Sequence, residues 1–100
     1  METSEKYRPI QNYFNGEGKI VIWPSKRNHL PRQILILEFL AEKFEPNRHY
    51  TEKEVNEILN QYHTFGDPAL LRRELFGRKL LNRTIDGRAY WLVSATQNAE

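Results

Sequence analysis

The side chains best equipped for chemistry in this chain are its cations, and they cluster. Lys26 and Arg27 stand side by side in PSKRN, Arg72 and Arg73 in ALLRREL, Lys79 lies in GRKLL, and Arg83 and Arg88 bracket TIDG. Ammonium and guanidinium groups hold anions, and a guanidinium offers parallel donors that fit a phosphate or the edge of a guanine. Their distribution favours such a role. From Lys19 to Arg32 four cations occur without an acid, and from Arg72 to Arg88 six cations face only Glu74 and Asp86. Glu38 to Glu57, in contrast, holds six glutamates against Lys43, Arg48 and Lys53. The net charge is only +2, yet two basic segments that meet in space would give the fold a basic face.

Other chemistries find little support. His29, His49 and His63 are widely spaced; only His63 and Asp67 fall four residues apart, and zinc needs three or four converging ligands. Asp67 already has a role as a helix cap. Ser25 lies beside Lys26 without a nucleophile elbow, and no glycine-rich phosphate loop occurs. With no cysteine there is no disulfide, iron–sulfur ligation or thiol nucleophile. The expectation is a non-enzyme without metal or cofactor. The longest apolar run, Ile34 to Leu37, is far below the roughly 18 residues of a membrane span, and METSEKYRPI lacks an apolar signal core. A cytoplasmic protein that does not engage membranes is expected.

The elements that must position these cations follow from pattern. One hundred residues, 39% hydrophobic and 28% charged, suit one globular unit with a single core. Residues 1–18 read as a docked arm with anchors Tyr7, Ile10, Tyr13 and Phe14, ending in the turn NGEG. KIVIW, residues 19–23, is β-branched and stops at Pro24, as a short strand would. Leu30 to Phe44 is a first helix, with Ile34, Leu37, Leu40, Ala41 and Phe44 on its core stripe and Pro31 near its start. Leu35, Ile36 and Phe39 fall off that stripe and form a second apolar face that something must cover. The arm is the expected cover, since it needs no association step; another subunit is the alternative.

Thr51 and Glu54 form a capping box before Val55, Ile58, Leu59 and Tyr62, which recur as one face of a second helix. Asp67 and Pro68 supply the cap and first-turn proline of a third helix, residues 68–79. Asp86-Gly87, between runs containing Leu80, Leu81 and Ile85 and then Tyr90 to Val93, marks a hairpin. The domain proper is expected over residues 19–93, with a frayed tail over 94–100.

Strand, helix, helix, short turn, helix and hairpin is the order of a winged-helix domain, a helix-turn-helix variant with an antiparallel wing. The expected class is α+β: three helices, a C-terminal hairpin wing and a short N-terminal strand. LRRELFGRKLLNRTIDGRAYWL resembles the recognition helix and wing of bacterial winged-helix regulators. PSKRN, YTEKEVNEIL, LRREL, LLNR and DGRAYW together are similar to the bacterial domain of unknown function 2087 family, over about Asn12 to Val93. Members of that family occur alone or joined to DNA-binding domains of transcriptional regulators, so the resemblance implies a regulatory setting. Where the family has GLL entering the wing, this chain has KLL, with Gly77 two residues earlier. The helix terminus, and with it the wing angle, is expected to differ.

Helical spacing separates the two adjacent arginines. With Leu71 and Leu75 defining the core direction, Arg73 points almost directly outward beside Ala69, and Arg72 lies at the flank, roughly 80° from the core centre. Arg73 therefore suits reading a base edge, and Ala69 lets the helix approach a groove. Arg72 suits pairing with an acid of the second helix, such as Glu54 or Glu57. Arg83, Arg88, Lys26 and Arg27 are expected to meet phosphates, with Lys79 completing the set. Glu52 and Glu54 oppose such docking, because carboxylates at the start of the second helix would repel a phosphate backbone. Phe76 is expected to be buried beneath Tyr90 or Trp91. The function these features suggest is a transcription-regulatory module binding double-stranded DNA. The alternative is an interaction, sensory or dimerisation module that meets itself or a regulator subunit through Leu35, Ile36 and Phe39.

Overall fold

Local signals set the helix boundaries of the computed structural model, which describes residues 5–93. Helix α1 runs Leu30–Ala41, preceded by a 3-10 turn at Arg27–His29, with Pro31 in its first turn. Helix α2, Glu52–Asn60, begins at the capping box: the Thr51 hydroxyl accepts from the Glu54 N–H at 3.1 Å, and Glu54 Oε1 accepts from the Thr51 N–H at 2.8 Å. Helix α3, Pro68–Gly77, begins where the Asp67 carboxylate accepts from the Leu70 N–H at 3.1 Å. Each cap satisfies donors that the first helical turn leaves open, worth about 1 kcal/mol.

The three strands are short. β1 is His49–Tyr50, between α1 and α2; β2, Leu81–Arg83, and β3, Tyr90–Leu92, form the hairpin. All pair antiparallel in the order β1-β3-β2, with Arg83 opposite Tyr90 and His49 opposite Trp91. The fold is thus α+β. Its core is sealed by Ile10, Ile20, Ile36, Leu37, Leu40, Val55, Leu59, Leu71, Leu75 and Leu81. Each such side chain gains about 1.5–3 kcal/mol on leaving water, and together they hold α3 and the hairpin on one body. No helix among the described residues is long and apolar enough to cross a membrane.

Several expectations need correction. KIVIW is not a strand: only Ile20 bridges, to Phe14 on one side and His63 on the other. Its N–H donates to the Tyr62 carbonyl and its carbonyl accepts from the Thr64 N–H, at 2.8 and 2.9 Å. The segment is spent pinning the connector between α2 and α3, and Val21 and Ile22 are left exposed. The sheet's third strand is instead β1, too short to leave a periodic signal. Helix α1 ends at Ala41, although Phe44 is still buried.

The second apolar face of α1 is covered from within the chain. Residues Glu5–Tyr13 form a 3-10 helix that lies on α1, burying Tyr7 and Ile10. Phe39 meets Tyr7, Phe14 and Tyr62 edge-on, at ring centroids 5.7, 4.9 and 6.3 Å. Tyr7 Oη donates to the Glu42 carboxylate, and Lys6 pairs with Glu38 at 3.3 Å. Ile36 is 0% exposed, and Leu35 and Phe39 are half-buried against the core. Of the expected partner surface, Ile36 is interior and Leu35 and Phe39 are half-buried, while Ile34 of the expected core stripe is likewise only half-buried, so the core direction of α1 is rotated from the one spacing gives. The tail expected over 94–100 lies outside the described residues, as do residues 1–4.

Candidate nucleic-acid interface

Helix α3 turns Leu71 and Leu75 into the core, and this fixes what its other faces present. Arg73 is exposed, and its guanidinium enters no ion pair among the described residues. Ala69, one turn earlier, is half-buried. Arg72 behaves otherwise. It donates from Nη1 to Asn56 Oδ1 and lies 3.8 Å from Glu52, its side chain only 14% exposed. The expected clamp onto α2 is there, but its partners are Asn56 and Glu52, not Glu54 or Glu57. Which flank of α2 faces α3 depends on how the two helices roll against each other, and spacing within one helix cannot supply that.

This arrangement also disposes of the acids at the start of α2. Glu52 faces Arg72, and Glu54 is folded back onto the Thr51 N–H. Arg78, near the end of α3, pairs with Glu74 at 3.9 Å.

Phe76 corrects a further expectation. It does not lie beneath Tyr90 or Trp91; it is 37% exposed, with the Arg83 guanidinium 4.6 Å from its ring centroid. Trp91 instead stacks on His49 at 5.0 Å, and Tyr90 turns into the core. Alternation along β3 sends these neighbours to opposite faces of the sheet. Helical spacing places Phe76 on the outer half of α3, three residues after Arg73 and seven after Ala69; the expectation of burial rested on the wing folding back over the helix end, and the hairpin covers it only in part.

The end of α3 is a Schellman motif. The Leu80 N–H donates to the Leu75 carbonyl at 2.9 Å and the Lys79 N–H to the Phe76 carbonyl at 3.1 Å, with Lys79 at φ 65°. That left-handed position usually belongs to glycine, and here a lysine occupies it, two residues beyond Gly77, the last residue of α3. Lys79 itself is exposed.

The hairpin tip is braced. The Thr84 N–H donates to the Ala89 carbonyl at 2.9 Å, and the Gly87 N–H closes a turn onto the Thr84 carbonyl at 3.0 Å, with Gly87 at φ 74°. Asp86 accepts from the Thr84 hydroxyl at 2.7 Å and the Arg88 N–H at 3.0 Å. These bonds, the hydroxyl first, hold its carboxyl below the usual carboxylate range. Arg88 Nε stands 3.4 Å from Asp86, and both are open to solvent. Ile85 projects fully exposed at the tip. A Cβ on Gly87 would stand 3.3 Å from Arg83 Nη1, so the Arg83 side chain passes close to the turn, whose positive φ favours glycine.

Lys26 and Arg27 are exposed at the entry to α1, in a loop tied off by a buried bond from Gln33 Nε2 to the Pro24 carbonyl at 2.6 Å. Arg73 and Phe76 share one face of α3, with Arg83 against Phe76, while Lys26 and Arg27 belong to the loop before α1. His63 is structural. Its Nδ1 faces the Leu59 carbonyl at 2.8 Å and its Nε2 accepts from the Asp67 N–H at 3.0 Å. Both nitrogens are occupied, and the Nδ1 carries the hydrogen because its partner is a carbonyl. An open hollow of about 300 Å³ beside β1 sets Lys43 and Arg48 against Glu45, Glu54 and Glu57, so its charges largely offset one another.

No curated protein and no solved structure matches the chain. Residues 19–92 match the family described as "Uncharacterized protein conserved in bacteria (DUF2087)", and the chain belongs to that family.

Proposed function

We propose that this chain is a winged-helix module of a transcription regulator that binds duplex DNA, with α3 entering the major groove and the β2–β3 hairpin acting as the wing. The arrangement α1, β1, α2, turn, α3 and antiparallel hairpin supports this reading. The observation that carries it is the difference between two adjacent arginines: Arg72 is held by Asn56 and Glu52, and Arg73 is exposed and unpaired among the described residues. Arg73 reads a guanine edge, a contact worth about 1–3 kcal/mol of discrimination. Arg72 is a positioning residue that sets the roll of α3 on α2. Arg83, Arg88, Lys79, Lys26 and Arg27 supply phosphate contacts, which fix register and make affinity depend on salt.

Binding of the full chain to labelled duplex DNA across a salt series tests the reading. A steep fall of log affinity with log salt is expected, with a slope of about 0.9 per phosphate contact. Arg73→Ala should weaken binding about tenfold or more, and Arg72→Ala should act mainly on stability. Equal losses of affinity in two equally folded variants would defeat the assignment of the arginines. The absence of duplex binding even at low salt would defeat the function.

A second reading, association with another copy or a regulator subunit, is favoured by one observation: Val21, Ile22 and Leu30 are exposed near one another in sequence. Sedimentation as a dimer that Ile22→Ser dissolves, in a chain that binds no DNA, would establish it instead.

A further inference from the structure

The outward face of α3 holds one large apolar side chain, Phe76, and the fold keeps it there. Phe76 follows Arg73 by three residues, so both rise from the same side of the helix about 4.5 Å apart along its axis. The Arg83 guanidinium covers the ring from the hairpin side at 4.6 Å, its end passing close to Gly87 of the turn. The ring thus lies against a cation and keeps part of its surface in solvent, at 37% exposure. Ala69, on the same face, is too small to keep the helix away from a flat groove floor.

From this geometry, and resting on the DNA-binding reading above, we infer that Phe76 is a specificity-determining residue that meets the 5-methyl group of a thymine in the major groove. In that groove thymine alone among the bases presents a methyl, and phenylalanine is one of the side chains that recognises it by apolar contact. The separation of Arg73 and Phe76 along the helix is close to the spacing of stacked base pairs, about 3.4 Å. The thymine therefore lies one or two base pairs from the guanine read by Arg73. Arg83 acts as a positioning residue, holding the ring upright while its own charge faces the backbone.

The experiment selects duplexes bound by the full chain from a random-sequence pool and remakes the enriched duplex with deoxyuridine at each thymine in turn. One position within two base pairs of an essential guanine should lose about fourfold in affinity on removal of its methyl, the effect of one buried methyl-sized group. Phe76→Ala should bind thymine and deoxyuridine equally at that position, and Phe76→Leu should keep part of the preference. Matching deoxyuridine profiles for wild type and Phe76→Ala would overturn the inference while leaving DNA binding intact, as would binding without enrichment of any sequence. A single strand bound as tightly as the duplex, with that binding lost in Phe76→Ala, would make the ring a base-stacking platform and overturn it too. If no duplex is retained at any salt, the DNA-binding reading fails and the inference with it.

Discussion

Phe39 and Phe76 are a matched pair in different surroundings. Each is a phenylalanine on a helix, and each lies under a cation: Lys43 Nζ stands 4.3 Å from the Phe39 centroid and the Arg83 guanidinium 4.6 Å from that of Phe76. Around Phe39 three further aromatic rings close in from the N-terminal 3-10 helix, the segment after it and the connector that follows α2. Around Phe76 no further aromatic ring arrives among the described residues. A helix sets which residues share a face, but segments distant in the chain decide whether that face is covered. At α1 the covering segment extends the core; at α3 the described residues leave Phe76 part-exposed.

The widest gap between the two should appear in stability. Phe39→Ala removes the hub of four rings and should cost about 2–4 kcal/mol, read as a lower urea midpoint at unchanged slope. A loss below about 1 kcal/mol would mean that the arm is not a load on α1 and would break the comparison. Tyr7→Phe deletes only the hydroxyl bond to Glu42 and should cost about 1 kcal/mol at neutral pH.

The same bond has a pH signature. Burial first, then the Glu42 bond and the charges of Glu42 and Glu38, raise the Tyr7 pKa well above its ordinary value near 10. The folded state therefore favours the neutral phenol. Its contribution is fully present below about pH 10 and is lost as pH climbs from there toward the raised folded value. The unfolding midpoint of the wild type should fall over that alkaline range more steeply than that of Tyr7→Phe.

Smaller effects are expected at the other ring. Lys79→Gly should stabilise by about 0.5–1 kcal/mol, because glycine takes the left-handed position without the strain a side chain brings. Destabilisation would mean that Lys79 makes a compensating contact. Phe76→Ala and Arg83→Ala should each shift stability by about 0.5 kcal/mol or less, with a coupling of similar size in the double mutant, as for an exposed cation–π pair. A Phe76→Ala loss approaching that of Phe39→Ala would show that the outer ring is core after all.

What was legible in the sequence was local. Thr51 with Glu54, Asp67 with Pro68, and Asp86-Gly87 bring their partners within a few residues, and each forms as expected. The different exposure of Arg72 and Arg73 was also legible, since it needs only the rotation of one helix about its core leucines. The rest depends on contacts between distant segments. KIVIW has the β-branched composition of a strand but is given to the connector at Tyr62 to Thr64, while His49–Tyr50 has no strand-like pattern and pairs because β3 lies beside it. Phe76 was assigned to the interior because aromatics usually lie there. The choice of Glu52 and Asn56 by Arg72 depends on helix–helix geometry, and Lys79 adopts a conformation its side chain disfavours because Leu75, Leu80 and Leu81 must all reach the core side of the turn.

The order β1-β3-β2 places the strand latest in sequence at the centre of the sheet. During synthesis the chain can complete α1, α2 and α3 in turn, yet β1 waits without a partner until Tyr90 and Trp91 have emerged. β2 waits for the same residues. The β2–β3 ladder is a local hairpin, whereas the β1–β3 ladder joins residues about forty positions apart, the kind of non-local pairing that is slow to find. A chain stopped at Ala89 would leave both β1 and β2 as open edges, exposed to pairing with other molecules.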